Sequence, residues 1–488
     1  MMAPNRSVRA FLWLIALLYA GAPMSAQVDR SAPPKIGPPP HLRLPPIAHL
    51  SLSNGIRVLV MEKHTVPLVQ VDVLVSAGAT MDPEGRSGLA NLTSAMLTEG
   101  SGGRDALAFA DAVDYLGAQI TSGSGEHTTG IDLHCPLAKL DSALVLLADA
   151  VRRPAFAPAE LERLKKERLN TLLEWRNDPR MLASVIFNRT LYGSHPYGIP
   201  TLGSESSIAA ITAEDLRKFY TSYFVPANTA IIVVGDITSA HALARLEAAF
   251  GKWRGKGQRP PALPPILQLP EKTLLLVDNP GAAQSVIQIG CVGVPRLTED
   301  FYPIVVMNTI LGGSFRSRLN TNIREQHGYA YGAGSRFDFR PLAGPFLASA
   351  SVQTAVTDKA LTEFVNELKG IREPVSDEEL ERAKNYLALG YPAEFQSVEQ
   401  LASQLEGLVI YGLPDTYFNT YIDRIESVTK EEVHRVAQKY INVDDLAFVI
   451  VGDRKEIEEG VSALGLAPAH VLSVEDVLGP SSAPPSGK

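Results

Sequence analysis

Two segments of the chain read alike: residues 228–236, NTAIIVVGD, and residues 444–453, DDLAFVIVGD. Each is a short run of apolar residues, rich in β-branched types, closed by Gly-Asp, as expected of a buried strand that ends in a turn. Each also follows a helical segment that ends at a tyrosine, Tyr223 in one case and Tyr440 in the other. Working outward from both, a similar order of elements recurs. The first half has strand-like runs near residues 56–61, 68–77, 120–125 and 129–134, separated by helical periods that end with the one opened by Thr212 and Asp215. The second half restarts with strand-like runs near 273–277, 285–291 and 346–352, again interleaved with helices. The pattern predicts an α+β chain of two tandem homologous domains, each a largely antiparallel sheet with helices packed on one face.

The composition agrees with a globular chain. Its 488 residues exceed one ordinary domain, and 45% hydrophobic with 20% charged residues is typical of a folded protein. A net charge of −8 supplies no basic footprint for nucleic acid. At the N-terminus, Arg6 and Arg9 precede an apolar core from Phe11 to Ala20, with small residues around Ser25 and Ala26. That is the form of a secretory signal, and its core is too short to span a bilayer. The expected organisation is a signal peptide (1–26), a proline-rich leader (27–46), a first domain (47–254), a hinge linker (255–268), a second domain (269–470) and a disordered tail (471–488). An exported protein follows, periplasmic if the source is Gram-negative and membrane-associated if the signal stays uncleaved, with no stable membrane insertion after cleavage. Cys135 and Cys291 are too few for a disulfide framework and read as two buried thiols.

The most readable chemistry lies in residues 311–331, LGGSFRSRLNTNIREQHGYAY. Gly312-Gly313 is a permissive turn, followed by a helix-like run over 314–327 with Phe315, Leu319 and Ile323 four apart. Gly328 ends the run as a C-cap glycine, and a strand begins at Tyr329. A chain that reverses at Gly328 aims the Arg324 guanidinium and the Tyr331 phenol at one point. Both are hydrogen-bond donors suited to a carbonyl gaining negative charge. An Arg capping its helix and a Tyr packed in the sheet is the plainer reading.

Residues 76–101, SAGATMDPEGRSGLANLTSAMLTEGS, together with the paired VGD strands and GGSFRSRL, resemble the pitrilysin/insulinase superfamily of zinc peptidases. The similarity is to its short two-domain branch, related to mitochondrial processing peptidase, and covers roughly residues 47–470. Active members carry H-x-x-E-H, two histidines one helical turn apart that bind zinc and a glutamate that activates water. Here the matching pentad is Asn91-Leu92-Thr93-Ser94-Ala95, with Asn91 and Ala95 at the histidine positions and Ser94 at the base position. The downstream carboxylate ligand falls on Thr171. The ten histidines are scattered, no two of them three to five apart, and form no alternative ligand set. No metal or cofactor is expected in this chain. The resemblance implies instead a non-catalytic subunit that lends Arg324 and Tyr331 to the zinc site of a homologous H-x-x-E-H partner in a heterodimer. It also implies a peptide substrate held along a sheet edge, expected over 120–134, with Gly312, Gly313, Ser314 and Phe315 as further substrate contacts, the two glycines being equally readable as the hinge of the turn. An inert scaffold or a peptide-binding protein of the same fold is the alternative.

Overall fold

The computed structural model describes residues 42–480 together with residue 37; the predicted signal peptide and residues 481–488 lie outside the described residues. Among the described residues, twelve strands form two six-stranded sheets. The first half supplies β1 (Ile47–Ser51), β2 (Arg57–Glu62), β3 (Leu68–Val75), β4 (Gln119–Ser124), β5 (Thr129–Pro136) and β6 (Thr229–Gly235). Their order across the sheet is β1-β2-β6-β3-β5-β4, antiparallel except where β2 pairs with β6. The second half supplies β7 (Thr273–Asp278), β8 (Gln284–Val292), β9 (Ala330–Phe337), β10 (Pro345–Gln353), β11 (Ala447–Gly452) and β12 (Ala469–Leu472), in the order β12-β7-β11-β8-β10-β9. The two VGD strands, β6 and β11, hold the same place in their sheets, and the duplication extends to the edges: β4 corresponds to β9. The outermost strands at the other end break the likeness, because β1 runs antiparallel to β2 whereas β12 runs parallel to β7.

The unbroken apolar runs of β6 and β11 have a specific cause: each strand is buried on both faces. On one face Ile231 and Val233 of β6 pack with the helix Leu140–Arg152 and the rest of the first half's own core. The alternate residues, Ile232 and Val234, meet Val398, Leu401 and Leu405 of the helix Val398–Tyr411, which belongs to the second half. The second sheet repeats this arrangement. Phe448 and Ile450 of β11 join their own half's core, while Val449 and Val451 meet Leu182, Ile186 and Phe187 of the first half's helix Pro179–Tyr192. Each half thus covers the back of the other's sheet with one helix. At ~25 cal/mol per Å² of apolar surface removed from water, such a reciprocal exchange couples the halves strongly.

Two expectations change. Residues 471–478, read as part of a disordered tail, complete β12 and form the helix Val474–Leu478, because Val477 is buried against the helix Pro179–Tyr192. Of the edge expected over 120–134, only β4 lies at the sheet's margin, since β5 is paired on both sides. Cys135 and Cys291 are free and buried, and burial pushes both thiols up to about 12.

Candidate functional site

The turn that carries Phe315 and the strand that carries Tyr331 are fixed by internal packing before any ligand is considered. A Cβ on Gly312 would collide with the Ser335 backbone of β9, so glycine permits the approach in which Ser335 N–H donates to the Gly312 carbonyl at 3.1 Å. Gly312 and Gly313 are therefore explained within the chain. Ser317 then caps a helix that begins only at Arg318, four residues later than the sequence pattern suggests. Phe315 precedes that helix and is 62% exposed, whereas Leu319 and Ile323 are buried in the core. From Thr321 to Gln326 the helix widens to a π turn, a form that recurs at functional sites. Arg318 anchors this run through two bonds to Glu379, at 2.6 and 3.0 Å, and Asn322 Nδ2 donates to Glu363 and Glu367. Gly328, with φ of +66°, reverses the chain into β9.

The reversal brings Arg324 and Tyr331 together. The Arg324 guanidinium carbon stands 4.4 Å from the Phe315 ring centre and 5.4 Å from that of Tyr331, so the cation lies between two aromatic rings. Tyr331 is 91% exposed. Among the described residues no hydrogen bond or ion pair occupies the Arg324 side chain or the Tyr331 hydroxyl. Two features of this arrangement were not legible in the sequence. Tyr331 sits in a bulge, where β9 has two residues between pairings to β10 that are separated by one, and bulges re-aim side chains. Asn320, 5% exposed, ties the two segments: its Nδ2 donates to the Phe315 carbonyl at 2.7 Å and its Oδ1 accepts from Ala333 N–H at 3.2 Å. A buried asparagine in the middle of a helical run was the available signal. β9 is an edge strand, but its outward N–H groups at Ala333 and Ser335 are taken by Asn320 Oδ1 and the Gly312 carbonyl, so the 312–320 segment covers that part of the edge.

The pentad Asn91–Ala95 forms most of the short helix Leu89–Ala95, whose first turn is held by Asp82 accepting from Gly88 and Ala90 N–H at 2.7 and 2.8 Å. Burial outweighs those bonds and raises the Asp82 carboxyl to about 7. The helix is thus preserved, but its chemistry does not fit zinc. Asn91 Oδ1 accepts from Arg168 Nε at 3.0 Å, which puts a guanidinium beside the first ligand position. Ala95 has no donor atom, and Thr171 Oγ1 donates to the Glu167 carbonyl at 3.1 Å. Ser94 is buried, its carbonyl accepting from Ser122 Oγ of β4 at 2.8 Å. Among the described residues a metal-like grouping occurs elsewhere, at Asp72, Asp132 and Glu406 on the face of the first sheet that meets the helix Val398–Tyr411. It contains neither histidine nor cysteine, the usual ligands of catalytic zinc sites alongside carboxylates.

Residues 57–205 match the family model described as insulinase (peptidase family M16), and residues 210–387 match the one described as peptidase M16 inactive domain. The chain belongs to the M16 insulinase-like family. A Helicobacter pylori protein described as a non-peptidase homolog, YmxG, is 25% identical over 420 residues, spanning 84% of this chain and 95% of that protein. A crystal structure of a peptidase M16 inactive domain from Pseudomonas fluorescens superposes with a TM-score of 0.76 at 28% identity, covering 83% of this chain and 98% of that one. The structure of a protease from Helicobacter pylori matches with a TM-score of 0.77 at 21% identity, over 84% of this chain and 100% of that one, and shows the shared fold. The inactive-domain match, the non-peptidase description of the Helicobacter pylori relative and the altered pentad agree: the residues at the family's zinc positions in this chain do not fit a catalytic zinc.

Proposed function

We propose that this M16 chain is the non-catalytic subunit of a two-chain zinc peptidase and contributes Arg324 and Tyr331 to the site of an H-x-x-E-H partner. One observation carries the reading. Two strong donors converge beside β9, Arg324 against the Phe315 ring and the two segments tied by Asn320, with Tyr331 exposed and no protein acceptor for either among the described residues.

Zinc on the partner supplies a Lewis acid and an activated water. This chain binds and orients the peptide: Arg324 and Tyr331 donate to the scissile carbonyl oxygen as it becomes anionic. The substrate is a peptide or unfolded segment, paired through its backbone to a sheet edge, which tolerates varied sequences. The form of residues 1–26 supports export, and among the described residues no helix is long and apolar enough to cross a membrane. A catalytically inert scaffold or peptide-binding protein is the second reading, favoured by the non-peptidase description of the Helicobacter pylori relative.

The deciding experiment is cleavage of a quenched fluorescent peptide by this chain, by the partner and by both. Activity should require mixing, and Arg324→Ala or Tyr331→Phe should each lower the rate by about 10²–10³. Equal cleavage by mixtures containing either variant would leave the scaffold reading. Zinc-dependent cleavage by the pure chain would overturn both.

A further inference from the structure

The residues that displace zinc chemistry from the first half leave a cation in its place. Arg168 projects from the helix Pro158–Trp175, is half-buried, and is aligned by the bond from its Nε to Asn91 Oδ1. Among the described residues its two terminal nitrogens have no partner, and they are not sealed from solvent. Neighbouring groups are committed elsewhere. Arg163 engages Glu99, Glu160 and Glu167 at 2.6, 2.7 and 2.6 Å, and Lys165 donates to the carbonyls of Ala209 and Ile211 at 3.0 Å each. None of these carboxylates reaches Arg168. A planar guanidinium held by its Nε presents the remaining N–H groups as a fork that matches a carboxylate. Asn91 Nδ2 is a further donor beside it.

The surroundings say how such a ligand arrives. The helix Leu89–Ala95 lies against β4, joined to it by the Ser122 hydroxyl, and β4 is the open edge of the first sheet. A peptide added as a strand to β4 runs beside the helix that carries Asn91. We propose that the altered metal position is a carboxylate-binding site, in which Arg168, aligned by Asn91, takes an acidic side chain or the terminal carboxylate of a peptide lying along β4. The inference rests on the reading of this chain as a peptide-handling subunit but not on catalysis. A net charge of −8 disfavours general capture of anionic peptides, so a preference for them must come from a local group.

The test is binding of one unstructured, fluorophore-labelled peptide to the full chain, measured by anisotropy in three forms. One form has an internal glutamate and an amidated C-terminus; the second replaces the glutamate with glutamine; the third is the glutamine form with a free terminal carboxylate. The native chain should bind at least one carboxylate form about tenfold or more tightly than the neutral one. Which form wins identifies the source of the carboxylate. Arg168→Gln should erase the preference, and Arg168→Lys should keep part of it. Asn91→Asp, which supplies Arg168 with an internal carboxylate, should erase it while the arginine remains. Equal binding of all three forms by the native chain, no measurable binding of any, or a preference that survives Arg168→Gln would overturn the proposal. Arg324→Ala should keep the preference, so a failure here and a failure of the mixed-chain peptidase assay are separate results.

Discussion

The role proposed for Arg324 requires its guanidinium to be held in place, and the group against it is Phe315. An arginine side chain has several rotatable bonds and loses up to ~2 kcal/mol of conformational freedom when fixed. Contact with the Phe315 ring, at 4.4 Å, contributes about 0.5–1 kcal/mol toward that cost at an exposed position. Phe315→Ala should therefore lower turnover in the mixed-chain assay by about tenfold or more while the fold persists, because small displacements of a positioning group have large effects on rate. Phe315→Tyr should restore most of the loss and Phe315→Leu should not, since a leucine lacks the aromatic face. Asn320 works differently. Asn320→Ala leaves the Phe315 carbonyl and Ala333 N–H without their partner and should destabilise the chain by about 1–3 kcal/mol in urea denaturation.

Among the elements, the exchanged helices decide how the chain behaves as a body. The helix Val398–Tyr411 is an ordinary capped helix by local criteria: Ser397 and Gln400 form a capping box and Gly412 ends it in the left-handed region. Its partner, however, is the back of the first sheet. Leu405 is fully buried there, beside Ile232 and Val234 of β6. Leu405→Ala should cost about 2–5 kcal/mol by leaving a cavity between the halves. Limited proteolysis should show cleavage within 255–272, the irregular linker between the halves, rising in that variant. An exposed control such as Glu399→Gln should leave both readings near native, since a surface ion pair with His134 contributes little.

At the scale of the whole molecule, the seam between the halves is held by apolar packing and by two charged clusters of opposite character. At one, Arg340 of the β9–β10 loop reaches Glu126 in the β4–β5 turn at 2.5 Å, over the ring of Tyr197. The tips of the two edge hairpins are thereby clasped to each other. At the other, Asp72 of β3, Asp132 of β5 and Glu406 of the helix Val398–Tyr411 crowd together, with Gln70, His134 and Glu399 around them. Burial, and then the neighbouring carboxylates Asp132 and Glu406, push Asp72 up to about 8; burial brings Asp132 to about 6, and burial with Asp132 brings Glu406 to about 7. Carboxyls raised in the folded state favour folding fully below their unfolded values near 4, and that contribution is lost as pH rises through 6 to 8. Thermal midpoints should accordingly fall from pH 5 to pH 9. Asp72→Asn should lessen the fall, with the gap between variant and native chain widening as pH rises. A gap independent of pH would show that the cluster does not hold its protons in the folded chain.

Much of this was legible from the sequence alone. The repeated VGD strands, the helix caps at Thr212 and Gly328, and the loss of every zinc ligand in Asn91–Ala95 are local facts, carried by turn chemistry, periodicity and residue type. The convergence of Arg324 and Tyr331 was legible too, because one glycine with a left-handed backbone suffices to reverse a chain. Three things depended on tertiary structure. The reach of the ordered chain through 471–478 depends on burial of Val477 against a helix nearly 300 residues earlier. The helix exchange turns on which of two apolar faces meets which sheet, and periodicity is silent on the partner. The place of Arg168 beside Asn91, 77 residues apart, arises because two helices pack together. Local interactions set what each segment becomes; long-range burial set where each charge came to rest.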